Sequence, residues 1–389
     1  MNYLIYLTVF IVFIFLIFEI IYRKRDSGTI IPLTSEREEW KIINKDNEKC
    51  SYKSSFYVFN ESKKYECTMV KTNVDYKILF KKEYKNDIKL SIELLPEYEG
   101  VREDKYVPAY IMQPLSKMKY KIIVNFEGNL DTIKDIHAIV ISFKYVVYDR
   151  KGYHSRIKDM IFVPNKEADN SKLNLLNEEG ASIYPIKTHL LSDEDDLASV
   201  IKKYTSNFAK EGDIITIAES PVAITQGRFK LPQEVKVGWW AKRLCYFIPS
   251  VGSLSTPYGM QCAIDQVGLI RFLFAMFVGA FMKIFGKNGW LYIVAGIESE
   301  LIDDLTGTIP PYDQYIVLGP KEPQKLVNYI KEKTNLDIAI VDANDLKRAR
   351  VVASTIPNME NKIRNWMLNN PAGNSYEQTP IVLIRPSNF

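Results

Sequence analysis

The stretch LDIAIVDAND, residues 336–345, decides how the second half of the chain is interpreted. Its apolar residues 338–341 predict a buried strand, and Asp342, Asn344 and Asp345 follow at the carboxyl end of that strand. Side chains at a strand end are held rigidly, so they could serve as ligands beside an open cleft. The alternative is that they cap a following helix, because Asp and Asn are good N-caps.

The sequence around this stretch alternates helices and strands. Residues 322–334, EPQKLVNYIKEKT, predict an amphipathic helix that leads into the strand, and residues 212–220, GDIITIAES, predict another strand. Before them, Ser192 and several acids precede apolar residues at helical spacing, with lysines late, which predicts a helix capped at Ser192. This alternation predicts an α/β domain over residues 184–389 of a multidomain α+β chain.

Residues 30–180 predict a separate β-sandwich domain. Five segments rich in Val, Ile, Tyr and Phe alternate or run apolar, and polar turn clusters separate them. His137 and His154 lie on or beside these strands and are interpreted as structural residues. Residues 166–180 are polar and predict a linker. The five segments are SSFYVFN, YKILFKK, DIKLSIELL, KYKIIVNFEG and HAIVISFKYVVYD.

Length and composition limit the classes of function. A chain of 389 residues predicts two domains, and a net charge of +4 without a basic stripe indicates no nucleic-acid partner. The four cysteines show no CxxC spacing, and only three histidines are present, so no structural zinc site is expected. We expect free thiols in a reducing compartment, with a disulfide between Cys50 and Cys67 as the alternative.

The N-terminus predicts an uncleaved membrane anchor over residues 1–26. Residues 3–22, YLIYLTVFIVFIFLIFEIIY, contain one charge, Glu19, and are long enough to cross a hydrocarbon core as a helix. The basic residues 23–25, RKR, follow at once, which predicts a single-pass protein of the cell membrane with its C-terminal domains in the cytoplasm. A cleaved signal peptide would need a basic start and a small-residue cleavage site.

A second apolar segment, LIRFLFAMFVGAFMKIFG at residues 269–286, is harder to assign. Arg271 and Lys283 bracket only eleven uncharged residues, which is short for a membrane span. We therefore favour a buried helix or one that lies on the bilayer surface. Trp239, Trp240 and Trp290 nearby would suit either an interface or a core.

Two polar segments are assigned no definite catalytic or binding role. Residues 255–265, STPYGMQCAID, predict either a substrate loop or an ordinary connector. Asp303, Asp304 and Asp313 lie among Gly and Pro residues, so they are interpreted as turn-forming residues rather than ligands.

Several ordered motifs of the second half resemble the coenzyme F420-0:γ-glutamyl ligase family. Residues 184–228 open with YPIKTHLL, continue through a GD strand and end in QGR, as the family's opening segment ends in EGR. Residues 295–320, AGIESELIDDLTGTIPPYDQYIVLGP, resemble its AGID…PP.D stretch, and IVDAND resembles its TDTNG strand end. The β-rich half resembles, more weakly, the companion domain of membrane-anchored members of this broader group.

The resemblance implies an enzyme that adds L-glutamate to a lactyl-phosphate flavin-like coenzyme, using GTP and a divalent metal, Mn²⁺ or Mg²⁺. It places the first two metal-binding carboxylates on Glu298 and Asp342. Hard divalent ions take oxygen ligands and are held by few carboxylates together with phosphate oxygens. Gly227, Arg228 and Asn344 lie in the matching motifs and are the residues implied for substrate or nucleotide binding. Gly373 and Asn374 of the turn NPAGN are further candidates, because glycine lets the chain approach a phosphate closely and amides can bind a ligand, although both also suit an ordinary turn.

This sequence also departs from the family pattern at positions that handle metal and phosphate. A glutamate replaces the family's aspartate at Glu298, and an alanine replaces its threonine ligand at Ala343. A lysine near phosphates is a useful point charge, and Ile224 stands in its place. Ala223 and Gln226 replace a serine and a glutamate of the family pattern. The family's C-terminal acidic ligand has no clear equivalent here, and Glu377 could stand in for it.

Two classes of function follow. The first is a membrane-anchored, metal- and GTP-dependent ligase that joins L-glutamate to a coenzyme F420-like or other small acid substrate. The second is a non-catalytic, membrane-tethered module on the same fold that binds a ligand or a protein. The strand-end acids favour the first, and the lost threonine, serine and lysine favour the second.

Overall fold

The computed structural model describes residues 2–24, 29–33, 36–81, 88–97, 109–171, 173–249, 252–287, 289–305, 309–373 and 377–387. The contacts divide the chain into two compact units. The first comprises Met1–Asp75, Leu90–Glu127 and Ser142–Lys158. The second comprises Tyr76–Lys89, Gly128–Ile141 and Asp159–Phe389.

In the described part of residues 2–162, helix α1 precedes strands that form two sheets, as the alternating patterns predict. A five-stranded sheet has the order β1-β3-β7-β5, with β2 paired to β3, and a four-stranded sheet has the order β6-β4-β8-β9. The elements are α1 (Asn2–Lys24), β1 (Ile30–Leu33), β2 (Lys41–Lys45), β3 (Lys49–Asn60), β4 (Cys67–Phe80), β5 (Ile88–Glu97), β6 (Tyr110–Met112), β7 (Lys117–Gly128), β8 (Ile136–Asp149) and β9 (Gly152–Phe162).

The core of the first unit comes from the period-two burial of these strands. Alternate residues of β7, from Met118 to Phe126, are buried, because successive side chains of a strand point to opposite faces. The rings of Phe56 and Tyr120 stack with centroids 5.6 Å apart, and Phe143 meets Phe56 edge-on at 5.1 Å. The predicted β-rich sandwich is therefore confirmed.

The second half of the chain is a mixed α/β fold. Its six-stranded sheet has the order β10-β11-β18-β12-β16-β17, and a small sheet has the order β13-β15-β14. The elements are β10 (Leu176–Glu178), β11 (Ala181–Ile186), α2 (Leu197–Thr205), β12 (Ile214–Ala218), α3 (Glu219–Thr225), β13 (Phe229–Lys230), α4 (Ala241–Leu244), α5 (Pro257–Val267), α6 (Leu269–Ile284), α7 (Trp290–Ala295), α8 (Ile297–Glu300), β14 (Asp303–Asp304), β15 (Ile316–Val317), α9 (Pro323–Thr334), β16 (Asp337–Asn344), β17 (Arg348–Ser354), α10 (Glu360–Trp366) and β18 (Ile381–Pro386).

Helices cover both faces of the large sheet. Ile215 and Ile217 of β12 face the buried side of α2 and α9, whereas Ile214 faces the side covered by α10. β12 and β16 run parallel, and β18 lies antiparallel between β11 and β12. The strands are apolar on both sides because both sides are buried, which is why the stretch at 338–341 lacks alternation.

An ion pair fixes β18 to the turn before β12. Arg385 donates from Nε to Asp213 Oδ1 at 2.8 Å and from Nη2 to Asp213 Oδ2 at 2.7 Å. Asp213 is buried and also accepts from the backbone N–H of Lys210. The aspartate of the GD motif therefore has a structural partner at the other end of the domain.

Four sequence-based expectations are corrected by the structure. The strand at 337–344 is followed by a turn and by β17, so Asp342 and Asn344 do not cap a helix. The helix after Ser192 is capped by Asp196, whose carboxylate accepts from the N–H of Ser199. The predicted linker at 166–180 is shorter, because β10 already pairs with β11. Residues 255–265 are neither loop nor connector, because Thr256 caps helix α5.

The four cysteines are buried free thiols, so the alternative of a disulfide between Cys50 and Cys67 is not formed. The histidines of the β-rich segments make structural contacts. His137 Nε2 lies 2.9 Å from the carbonyl oxygen of Pro310, and His154 Nε2 lies 3.3 Å from Asp149 Oδ1.

The apolar segments form helices of different character. Within the part of the chain that the structure describes, no single helix is both long and apolar enough to cross a membrane, although α5 and α6, bent by 113°, meet the length and composition together. In α1, the short apolar core runs over Ile5–Ile21. Helix α6 buries only Phe272 and Ala275, so the expectation of a fully buried helix at 269–286 is wrong.

Candidate functional site

Two neighbouring parallel strands of the large sheet end in carboxylates. Ala218 of β12 pairs with Val341 of β16, and the next residue of each chain segment is an acid, Glu219 or Asp342. Glu219 begins helix α3 without an intervening loop. Because parallel strands end at the same edge, the two acids reach the same side of the sheet. The structure thus explains why an apolar strand ends in polar residues: β16 leads to a shared carboxylate cluster.

A third carboxylate joins from the small sheet. The hydroxyl oxygen of Ser220 lies 2.8 Å from Asp303 Oδ2 and 2.9 Å from Glu219 Oε1. Ser220 follows Glu219 in α3, whereas Asp303 lies in β14. A hydroxyl has one proton to donate, so this single side chain links two acids without neutralising either.

The environment of these acids opposes their ionisation. Burial, followed by the charges of Asp303 and Asp342, raises the pKa of Glu219 well above its usual range. Burial also raises the pKa of Asp303. Burial, followed by the charges of Asp303 and Glu300, raises the pKa of Asp342. Raised pKa values of carboxyl groups that lack a cation are typical of functional sites, although structural clusters also produce them.

The carboxylates line a cavity of about 380 Å³. Its wall includes residues from the ends of β12 and β16, from the segment 188–191 and from the turn after α10. Ile224 and Ala343 lie in this wall, and the described lining contains no Lys or Arg. An acidic cavity of this kind suits a hard cation or a positively charged amine rather than a bare anion.

The carboxylate oxygens of this cluster are suitable ligands for a divalent metal, but they do not form a complete coordination shell. In the described ranges, no three His, Cys, Asp or Glu side chains lie close enough together to hold a metal ion. Mg²⁺ keeps several waters and is commonly held by one or two carboxylates plus substrate phosphates. Asp303 and Asp342 are the two carboxylates of this cluster that would hold such an ion.

Some of the residues predicted from the sequence line this cavity. Asp342, Asn344 and Gly373 do so. The side-chain oxygen of Asn344 accepts from the N–H groups of Leu346 and Arg348, so this amide is committed to the turn. Gly373 has a φ of +67°, a conformation that suits glycine. Asn374 lies outside the described residues.

The remaining implied residues line a different cavity, of about 580 Å³. Glu298, Gly227 and Arg228 are all in its wall. Arg228 donates to the carbonyl of Gly319 and to Gln266, and burial lowers its pKa although Glu298 acts in the opposite direction. Further basic residues in this wall are Lys230, Arg271 and Lys321.

The structure therefore does not bring Glu298 and Asp342 into one cavity. Glu298 lies in the short helix α8, and the carboxylate that reaches the Asp342 side is Asp303, five residues later. The interpretation of Asp303 as a turn-forming residue is wrong, because it lies in β14 and accepts from Ser220. Asp313 lies in a short 3₁₀ helix, Tyr312–Gln314, and accepts from Gln314. The side chain of Asp304 is outside the described set.

Sequence reasoning missed Glu219 and Asp303 for different reasons. Glu219 follows an apolar strand directly, as Asp342 does, so the same pattern could have identified it. Asp303 sits in a segment of turn-forming composition and reaches the cavity only through the pairing of β14 with β15. That contact has no signal in the local sequence.

The buried carboxylate of Asp195 supports His189, a residue in the wall of the first cavity. Asp195 accepts from Lys166 Nζ at 2.8 Å and lies 3.2 Å from His189 Nε2. Burial alone would raise the pKa of Asp195, but His189 and Lys166 outweigh it and lower that pKa to about 2. The hydroxyl of Tyr204 lies 2.9 Å from His189 Nδ1. These contacts fix the segment 188–196 in the first cavity's wall.

Comparisons with known proteins agree with the two halves of the fold. Residues 34–167 match the model described as F420-0:gamma-glutamyl ligase, N-terminal Ig-like domain. Residues 185–344 match the model described as F420-0:Gamma-glutamyl ligase. A comparison with curated proteins finds no match.

Two similar solved structures each cover about a third of the chain. The GAE domain of GGA2p from Saccharomyces cerevisiae is 10% identical over 35% of this chain and 96% of its own, with a TM-score of 0.20. A FixG-related protein from Vibrio parahaemolyticus is 12% identical over 36% of this chain and 97% of its own, with a TM-score of 0.19. At these scores the likenesses carry no argument. The family matches do: the chain carries the N-terminal Ig-like domain and the ligase domain of the F420-0:gamma-glutamyl ligase family.

Proposed function

We propose that this protein is a membrane-anchored γ-glutamyl ligase that joins L-glutamate to a coenzyme F420-like or other small acid, with GTP and Mg²⁺ or Mn²⁺. The observation that supports this most is the cluster of Glu219, Asp303 and Asp342 in a cavity of the ligase domain. The anchor is α1, and the basic residues after it favour a cytoplasmic location for both domains.

In this proposal the carboxylates hold the cation and the cavity orients the reactants. A bound Mg²⁺ or Mn²⁺ would supply positive charge that screens nucleotide phosphates during phosphoryl transfer to the acid. Asp342 and Asp303, which lie on different sheets, would both hold the ion. Glu219 lines the same cavity, where its carboxylate would accept the proton that the attacking amine of glutamate loses.

The wall of the cavity argues for a substrate other than the F420 precursor itself. Ile224 and Ala343, which stand where the family has a lysine and a threonine, both line the cavity. Removing one contact that stabilises a transition state commonly costs about 10²–10³ in rate. We therefore expect weak turnover of the F420 precursor and better turnover of another acid.

The test is GTP-dependent incorporation of labelled L-glutamate into the F420 precursor and into a panel of small carboxylic acids. Asp342→Asn and Asp303→Asn should abolish incorporation into any accepted acid. Asp337→Asn is the matched control, because Asp337 lies at the opposite end of β16 and pairs with Lys331. Activity that survives both site substitutions would contradict the proposed site.

The alternative is a non-catalytic binding module on the same fold. The absence of Lys and Arg from the described lining of the first cavity favours it, because phosphates then have no direct cationic partner there. Saturable binding of GTP or an acid without any incorporation of glutamate, across the whole panel, would favour this alternative over the ligase.

A further inference from the structure

Helix α6 carries an apolar stripe on its outer face. The exposed residues recur with spacings of four and three, which places them on one side of a helix. Ile270 is 86% exposed, Phe277 is 70% exposed and Ile284 is 80% exposed. The stripe consists of Ile270, Phe274, Phe277, Phe281 and Ile284.

The opposite face of α6 packs against the rest of the domain, so the exposed stripe is not part of the hydrophobic core. Phe272 and Ala275 are fully buried in a cluster with residues of α5 and α7. Gly279 lies so close to Leu291 of α7 that a Cβ there would be 3.1 Å from Leu291 Cβ. The helix therefore has one satisfied face and one large apolar face without a protein partner in the described structure.

More exposed aromatics belong to the same helical cluster. Tyr246 is 84% exposed and Phe247 is 76% exposed, directly after α4. Trp239 and Trp240 are also exposed, with ring centroids 4.8 Å apart, and the guanidinium of Arg243 lies 3.8 Å above the Trp239 ring. Aromatic rings beside cations are characteristic of side chains at a membrane–water interface.

The charges of this region are almost all positive. Residues 235–297 contain a single acid, Asp265. The basic residues of the same segment are Lys236, Lys242, Arg243, Arg271, Lys283 and Lys287. A region of this composition is attracted to an anionic lipid surface.

The residues beside the stripe distinguish lipid from a second helix. A coiled-coil seam with this spacing usually has charged residues at its flanks, which select the partner helix. Here most neighbours are apolar or small, as in Leu273, Val278 and Ala280. The charged neighbour Arg271 donates to the carbonyl of Val294 within the same domain. A broad apolar face with cations at its end is the pattern of a helix that lies in the bilayer interface.

We propose that the outer face of α6 inserts into the interface of an anionic lipid bilayer, so that the ligase domain lies directly on the membrane. This contact is additional to the proposed anchor α1 and does not require the ligase reaction. It would hold the domain at the surface on which a membrane-bound substrate or product would be exchanged.

The test uses the full chain in vesicles and a fluorophore on one introduced cysteine. Phe277→Cys places the label on the stripe, and Leu346→Cys places it on a turn residue that is 78% exposed and outside this cluster. The native cysteines are buried, so labelling is selective. Doxyl-labelled lipids should quench the label at 277, in vesicles containing phosphatidylglycerol, and should leave the label at 346 unchanged.

The charge requirement is tested separately. Lys283→Glu together with Lys287→Glu should raise the fraction of phosphatidylglycerol needed for half-maximal quenching at 277, with at least a tenfold loss of quenching at a low fraction of this lipid. Lys325→Glu on α9 is the control and should have no effect. These lysines are exposed, so the fold is retained.

Two results would overturn the inference. Equal access of aqueous iodide to the labels at 277 and 346 in vesicles would show that the face stays in water. Protection from both iodide and doxyl lipid, with energy transfer between differently labelled copies, would show instead that a second copy of the chain covers the face.

Discussion

At the scale of single residues, the unusual feature of this protein is a cluster of three acids, two of which share one hydroxyl. Ser220 bridges Glu219 and Asp303, and Asp342 adds its charge from the neighbouring strand. No Lys or Arg lines the described wall of the cavity. The cluster therefore costs stability when it is ionised and gains from any cation that enters, which leads to two predictions.

The first prediction concerns which acids bind metal. Titration of Mn²⁺ by calorimetry should show binding that Asp342→Asn weakens strongly, because removing a charged ligand of a hard cation removes much of its attraction. Glu298→Gln should leave the affinity unchanged, because Glu298 lines the other cavity. The opposite ranking would restore the site implied by the family resemblance.

The second prediction concerns pH. The folded-state pKa values of Glu219, Asp303 and Asp342 are raised, so the folded protein keeps protons that the unfolded chain loses near pH 4. The free energy of unfolding should therefore fall as pH rises above about 4, toward the raised pKa values, and level off beyond them. Denaturant unfolding between pH 4 and 9 measures this slope.

Glu219→Gln should reduce this slope and should stabilise the protein at pH 8 relative to the wild type. Glu211→Gln, an exposed change in the turn before β12, is the control. If the wild type and Glu219→Gln show parallel curves, the carboxyl group of Glu219 ionises in the folded state as it does in the unfolded chain.

At the scale of elements, the spacing of apolar residues correctly predicted the helices and strands whose pattern is set by the local sequence. The amphipathic helix α9 and the strands β12 and β16 were predictable, because their patterns of apolar residues depend only on the faces they bury. The alternative of a helix start at 345–347 is wrong, since Asp and Asn favour both turns and caps. The carboxylate cavity also depends on β14, a strand of two residues that carries no local pattern, so Asp303 was not predictable.

The third prediction concerns the element β18. Arg385→Met should lower the free energy of unfolding by about 2 kcal/mol, because it leaves the buried Asp213 carboxylate without its bidentate partner. Arg348→Met, an exposed arginine of β17, is the control and should change stability by less than about 0.5 kcal/mol. Chemical denaturation measures both.

Asp213→Asn in the Arg385→Met background completes a double-mutant cycle. The second substitution should then cost less than it does alone, because the charge it removes no longer has a partner. Equal costs in both backgrounds would show that the ion pair does not couple β18 to the turn before β12.

At the scale of the whole molecule, the chain combines an apolar N-terminal helix, an Ig-like domain and a ligase domain. Only the last contains the acidic cavity described above. The fourth prediction is that both domains face the cytoplasm, because basic residues follow the apolar helix directly. Protease added to intact cells should leave the chain undigested, whereas protease added to inverted membrane vesicles should remove both domains. Digestion on intact cells would place the domains outside.

The position of β18 in the large sheet also determines when the sheet can be completed during synthesis of the chain. β18 lies between β11 and β12, yet it follows β12 by roughly 160 residues. At typical translation speeds of about 5–20 residues per second, the gap between those strands stays open for roughly 10–30 s. During that interval β11 and β12 present apolar, unpaired edges on the ribosome. The nascent ligase domain therefore has a period of exposure to chaperones and to misassociation that ends only when its last strand arrives.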